Sequence, residues 1–341
     1  MPLGIKWDRR FKKVLNKAIK SVGGAPLPRR VPLFFIELTN ICNLLCPMCP
    51  RSDSSDNRGV GNMDYELYKE IIDKIKAYGA RYLNLNRFGE SLIYPQFIDA
   101  IKYAKDQGIP NVGVVTNGTL LTKEMSEGII DAGLDRIRIS LDTLDPEDYA
   151  AGRVGGTLEK TLANIDYFFE YKKKKGSKIA AGINCVLIHD NFDQIQNVYE
   201  RFKDICEVDL KPVAHYGITQ NWKNIKKYEK YNKRACIQPW ERLNFFYNGD
   251  VNICCGDVEG GLIVGNIKDK SIKELWLEGK SKEIRKKHVA LDFEDLKVCQ
   301  VCSGINADWY ENSLKEQKEI YERLEPLKEV VGLSNTSPIV K

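Results

Sequence analysis

From Val31 onward the chain alternates short apolar runs with amphipathic helical stretches, and no other feature limits its fold as strongly. The runs read Leu33–Leu38, Arg81–Asn86, Asn111–Val115, Arg136–Leu141, Lys178–Ile188 and Val208–Val213. Between them, apolar residues recur at helical spacing near 64–77, 95–107, 122–132, 157–175 and 191–204. A strand, a helix and a second strand in succession bring the chain back in its original direction, so the pattern predicts a parallel sheet wrapped by helices. Six such units predict an α/β fold, a partial (β/α)6 TIM-like barrel. Chemistry is then expected on the loops at the carboxyl ends of the strands.

The rhythm changes after about residue 225. Lys-rich text gives way to "CIQPW", then to "RLNFFYNGDVNICC", whose Asn248-Gly249 pair reads as a hairpin turn, and later to "CQVC". We read 31–225 as the barrel and 226–310 as a smaller C-terminal domain. In 311–341 we expect a helix to about 330, packed back on the body, and a loose tail. Residues 1–30 form a basic amphipathic stretch in which Trp7, Phe11, Leu15, Ala18 and Val22 recur among Lys and Arg. This predicts a docked N-terminal helix, with contact to a membrane surface or a partner as the other use of the same pattern.

The 52 Lys and Arg exceed the 47 Asp and Glu by five, too mild an excess to imply nucleic acid. Lys172–Lys175 is a helix-end charge run without interleaved aromatics. No stretch approaches the roughly 20 apolar residues of a membrane span, and the N-terminus lacks a secretory signal. A cytoplasmic protein is expected.

The ten cysteines are clustered rather than spread as a disulfide framework. Cys42, Cys46 and Cys49 form a trio directly after the first predicted strand, and Cys299 and Cys302 form a later pair. Thiolates are soft ligands suited to zinc and to iron–sulfur clusters. A four-iron cluster held by the trio alone keeps one iron open. A zinc site there would need a fourth ligand, and His189, His215 and His288 all lie far away in sequence; each reads as a surface or satisfied histidine.

Cys42-x-x-x-Cys46-x-x-Cys49 after a strand of an expected barrel resembles the radical S-adenosylmethionine superfamily. The resemblance implies that the trio holds a four-iron cluster whose open iron binds the amino and carboxylate groups of S-adenosylmethionine. Reductive cleavage would give a 5′-deoxyadenosyl radical that abstracts hydrogen from substrate. Met48 matches the position packed near adenine. Asn86-Arg87-Phe88-Gly89-Glu90 resembles the family's Gly-Gly-Glu stretch, with Phe88 in place of the first glycine. Thr116-Asn117-Gly118 and Ser140-Leu141-Asp142 close the third and fourth strands. The resemblance therefore implies cofactor contacts from Gly89, Glu90, Thr116, Asn117, Ser140 and Asp142.

Cys236, Cys254, Cys299 and Cys302 can saturate either a zinc ion or a second cluster. The Gly249 to Cys254 spacing, Gly265-Asn266-Ile267 followed by Trp276, and the terminal Cys-x-x-Cys resemble the SPASM auxiliary-cluster domain in its shortened twitch form. That implies two four-iron clusters in all. No cysteine follows Cys302 in this sequence, so a third cluster is not expected.

Cys185 and Cys206 lie in or beside strand-like runs and read as ordinary buried residues, whereas Cys255 directly follows a ligand. Beside the auxiliary cluster, its thiol would return a hydrogen atom to a substrate radical, as in radical epimerases. The other reading exchanges Cys254 and Cys255 as ligand. The resemblance to sugar and aminocyclitol enzymes implies a polar small molecule, which is epimerised or, alternatively, dehydrogenated with the auxiliary cluster as electron acceptor. A flavodoxin or ferredoxin would supply electrons. Peptide modification and a non-catalytic iron–sulfur or zinc scaffold are the rival readings. Glu241, Arg242 and Asp257, flanking the ligands, are candidates for binding hydroxyl or amino groups.

Overall fold

A computed structural model of the chain describes residues 31–53, 58–187, 191–212, 233–305 and 307–324. The expected N-terminal helix, the tail, and His189 and His215 lie outside them.

The strand-like runs form six parallel strands: β1 (Leu33–Ile36), β2 (Tyr82–Asn84), β3 (Asn111–Thr116), β4 (Arg136–Ser140), β5 (Ala180–Leu187) and β6 (Glu207–Pro212). Helices α1 (Tyr65–Tyr78), α2 (Phe97–Asp106), α3 (Lys123–Asp131), α4 (Leu158–Lys174) and α5 (Phe192–Phe202) cross between them. Their ends follow local chemistry. Asp64 caps α1 by accepting the Leu67 N–H, and Gly79 closes it with φ 91°, a left-handed conformation that glycine adopts without penalty. Alternation along the strands sends Phe34, Ile36, Leu83, Val112, Val114, Ile137 and Ile139 outward into one apolar layer beneath the helices.

The sheet stays open, as a partial barrel should. Its order is β6-β5-β4-β3-β2-β1-β7-β8-β9, so strands of the C-terminal segment extend the same sheet. Strand β7 (Arg242–Phe245) runs parallel to β1, pairing Leu33 with Arg242 and Ile36 with Phe245. Strands β8 (Asp250–Asn252) and β9 (Ile263–Asn266) continue antiparallel. The expected hairpin turns at Gly249, with φ 91°.

The last described helix, α6 (Ala307–Leu324), packs back on the body. There the Tyr321 hydroxyl accepts the Leu210 N–H at 3.0 Å, and the Gln317 amide donates to the Leu210 carbonyl. The helix thereby occupies main-chain groups that an edge strand would otherwise leave open. Among the described residues no helix is long and apolar enough to cross a membrane.

Candidate active site between two thiol clusters

The cysteine trio occupies the loop after β1, at the carboxyl end of the sheet. Cys49 N–H donates to the Cys46 carbonyl at 2.9 Å, closing a turn that Ser52 Oγ braces on the same carbonyl. The sulfurs of Cys42, Cys46 and Cys49 lie near enough to influence one another's charge, and burial raises the thiols of Cys42 and Cys49. Backbone N–H groups of Leu44 and Arg51 donate to the sulfurs of Cys42 and Cys49. Each donor is two residues past its cysteine, the arrangement that stabilises a thiolate bound to iron.

The loops after β2 and β3 close over this one. Glu90 N–H donates to the Ile41 carbonyl at 2.8 Å. A Cβ at Gly89 would stand 2.2 Å from the Thr39 carbonyl oxygen, so only glycine permits that approach. Glu90 is 3% exposed; its carboxylate accepts Thr116 Oγ1 and the Asn117 N–H, both at 2.8 Å. Burial nonetheless raises its carboxyl. Asn117 Nδ2 reaches Asn43 Oδ1 at 3.1 Å and Cys42 Sγ at 4.0 Å. Thus Gly89, Glu90, Thr116 and Asn117 gather against the Cys42 loop.

The remaining sequence candidates are placed differently. Asp142 is held by Arg153, which donates from Nε at 3.1 Å, and by the Val186 N–H at 2.8 Å. Ser140 ends β4, paired in register with Asn184. Met48 is half-buried in the trio's loop. Arg153 had no signal in the sequence, yet it is buried beside Asp142 and senses the charge of Cys46.

Cys236, Cys254, Cys299 and Cys302 line one cavity together with His288. The N–H two residues ahead again donates to sulfur: Gln238 to Cys236, Gly256 to Cys254 at 3.3 Å, and Gly304 to Cys302 at 3.3 Å. Among the described residues no three Cys, His, Asp or Glu side chains converge on a single-ion site. Four thiolates around one cavity can give each iron of a four-iron cluster its own ligand. Burial pushes the thiols of Cys236 and Cys299 up to about 12, and metal binding displaces those protons.

His288 is the satisfied histidine of the two readings, and more. It is buried, burial holds its imidazole down to about 4, and its Nδ1 accepts the Cys236 N–H at 3.2 Å. The ring proton therefore sits on Nε2, 3.7 Å from Cys299 Sγ. Asp257, offered as a substrate contact, is 1% exposed and accepts the N–H groups of Gly261 and Leu262. Cys185 is buried and bonds the Leu141 carbonyl, while Cys206 is half-buried; both lie apart from the two thiol groups.

Arg87 joins the two sites. It stands two residues before Gly89, and its guanidinium donates to the Cys255 carbonyl at 3.3 Å and lies 4.5 Å from the Phe88 ring. Cys255 is half-buried and in no disulfide, its thiol hydrogen-bonded with that of Cys254 and close enough to affect Cys236 and Cys302. Next to Arg87, the fully buried Glu37 pairs with Arg58 at 2.8 Å, and Arg58 Nε donates to the Val258 carbonyl.

Removing Arg58 would strand a buried carboxylate, so Arg58→Met is expected to cost about 3–5 kcal/mol. Burial already raises Glu37 above its ordinary value. Without Arg58 its folded value climbs further, the folded state then binds more protons, and stability falls as pH rises through that window. Denaturant unfolding should show a larger loss at about pH 8 than at about pH 5.

Residues 36–202 match the family described as the radical SAM superfamily, and residues 236–303 match an iron–sulfur cluster-binding domain, SPASM. The chain is 30% identical over 287 residues to the tungsten-containing aldehyde ferredoxin oxidoreductase cofactor-modifying protein of Pyrococcus furiosus, covering 71% of this chain and 80% of that protein. A probable GTP 3′,8-cyclase of Methanococcus maripaludis is 32% identical over 142 residues, or 42% of this chain; the chain spans about half of that relative, 47%. Among solved structures, BtrN in complex with AdoMet and 2-DOIA shares the fold at a TM-score of 0.57, with 16% identity, 81% of this chain and 94% of BtrN covered. The cofactors of this architecture are S-adenosylmethionine and four-iron clusters, one of them auxiliary. The chain thus belongs to the radical S-adenosylmethionine superfamily and carries a SPASM-type auxiliary domain.

Proposed function

We propose that the enzyme epimerises a carbon of a polar small molecule, a sugar, aminocyclitol or nucleoside-like compound, with Cys255 as hydrogen donor. In this reading Cys42, Cys46 and Cys49 hold the cluster that binds S-adenosylmethionine. Cys236, Cys254, Cys299 and Cys302 hold the auxiliary one. Met48, Gly89, Glu90, Thr116, Asn117, Ser140 and Asp142 line the cofactor. The observation that carries it is the Arg87 contact to the Cys255 carbonyl, which ties this cysteine to the loop bearing Gly89 and Glu90.

A reduced cluster held by Cys42, Cys46 and Cys49 would, with S-adenosylmethionine bound, supply a 5′-deoxyadenosyl radical able to take a hydrogen atom from a substrate carbon. The Cys255 S–H bond then breaks and a C–H bond forms at that carbon from the opposite face. S–H is the weaker bond, so the transfer runs downhill. One electron and one proton restore the thiol, the electron coming from a carrier such as flavodoxin or ferredoxin.

Incubation in heavy water with sugar, aminocyclitol and nucleotide pools tests this. Wild-type enzyme is expected to yield a product about one mass unit heavier, because a thiol hydrogen exchanges with solvent. Cys255→Ala should still form 5′-deoxyadenosine without that product. A product about two mass units lighter, formed equally by Cys255→Ala, would instead establish dehydrogenation through the auxiliary cluster.

A further inference from the structure

The face of the sheet turned away from the helices is polar, although much of it is buried. Register aligns Phe35, Asn84, Gly113 and Arg136 in one row across β1 to β4. The next row runs Val115, Arg138, Gly182 and Glu207. Arg242 joins the same face from β7, its guanidinium 4.4 Å from the Phe35 ring.

The glycines make room for this charge. A Cβ at Gly113 would meet the Arg136 guanidinium at 3.1 Å, and one at Gly182 would meet that of Arg138 at 2.4 Å. The acids on this face are already engaged: Glu207, whose side chain is 53% exposed, pairs with Arg138, Asp209 pairs with Lys211, and Glu37 pairs with Arg58. Asn84, at 0% exposure, has no partner for either atom of its amide. Arg138 at 5% and Arg242 at 3% each keep an Nε without a partner.

An unmet buried amide costs about 1–3 kcal/mol per group, and an uncompensated buried cation costs more. A lattice of such groups on one concave face is an expensive way to build a core and an ordinary way to build an anion site.

We infer that the inner face of the sheet around Asn84, Arg138 and Arg242 binds an anionic group of the substrate, a phosphate or a carboxylate. The proposal rests on the small-molecule reading above and narrows it to phosphate esters or carboxylic acids. The arginines supply charge and paired donors, and Asn84 supplies a neutral donor fixed on the strand.

Calorimetric titration of the anaerobically reconstituted full-length protein with inorganic pyrophosphate and, separately, with malonate tests it. One saturable site is expected for one of the two probes, and the probe that binds assigns phosphate or carboxylate. Arg242→Gln, Arg138→Gln and Asn84→Asp should each weaken it about tenfold or more, since a charge-assisted bond is lost or a like charge introduced. Arg201→Gln, on an exposed helix where Arg201 pairs with Asp166, should leave it unchanged. No saturable binding of either probe to wild type, or equal affinity in Asn84→Asp and Arg242→Gln, would overturn the inference. Formation of 5′-deoxyadenosine, followed in the same preparations, reports the radical chemistry separately, so its loss with binding intact would strike the proposed function alone.

Discussion

A protein in which Cys42, Cys46 and Cys49 are all alanine is expected to fold, to keep about half its iron, and to form no 5′-deoxyadenosine above background. The two thiol groups occupy separate places in the fold. The trio hangs from the loop after β1, while Cys236, Cys254, Cys299 and Cys302 line a cavity of their own beside His288. The second set draws its N–H donors from Gln238, Gly256 and Gly304, none of which belongs to the trio's loop. Iron analysis and electron paramagnetic resonance check this, because the remaining cluster should give a reduced-state signal indifferent to added S-adenosylmethionine. Loss of all the iron would sink the idea of two independent sites. Persisting cleavage of the cofactor would sink the assignment of the trio.

Gly89→Ala is the second large effect, and it arises from one atom. A methyl group there would sit 2.2 Å from the Thr39 carbonyl oxygen and 2.7 Å from that of Ile41, both backbone atoms that cannot swing aside. The loop after β2 must therefore move away, breaking the Glu90 N–H bond to Ile41 and drawing the Glu90 carboxylate from Thr116 and Asn117. Overpacking of this kind costs about 1–3 kcal/mol in stability. A shift of about 1 Å in a positioning group costs roughly a hundredfold in rate, and that is the fall expected in 5′-deoxyadenosine formation. Thermal unfolding and a single-turnover assay measure the two together. Wild-type rates in this variant would show that the contact between the loops does not matter.

How much of this was legible beforehand follows from the range of each interaction. The six parallel strands and their helices were readable because alternation and helical spacing are local, and the turn at Gly249 because a left-handed residue has a local signature. The union of β7 with β1 was not, since parallel pairing between residues some 200 positions apart leaves no periodic trace. For the same reason nothing in the sequence shows that strands of the smaller C-terminal domain extend the sheet of the barrel. Arg58 meeting Glu37 and Val258, His288 meeting Cys236, and Arg87 meeting Cys255 are also products of tertiary approach. Asp142 shows the converse limit: the strand-end motif is legible in the sequence, but the arginine eleven residues on that engages its carboxylate, Arg153, is not. The N-terminal pattern of Trp7 to Val22 lies outside the described residues.

Strand β1 has one further consequence. It pairs with β2 on one side and β7 on the other, so the loops that carry both thiol sets are anchored through a single four-residue segment. Whatever binds only the folded form of either site stabilises that segment, and through it the other site, by mass action. The linkage acts on the stability of the shared fold: a chain loaded at one site should unfold less readily, while each site keeps its own ligands.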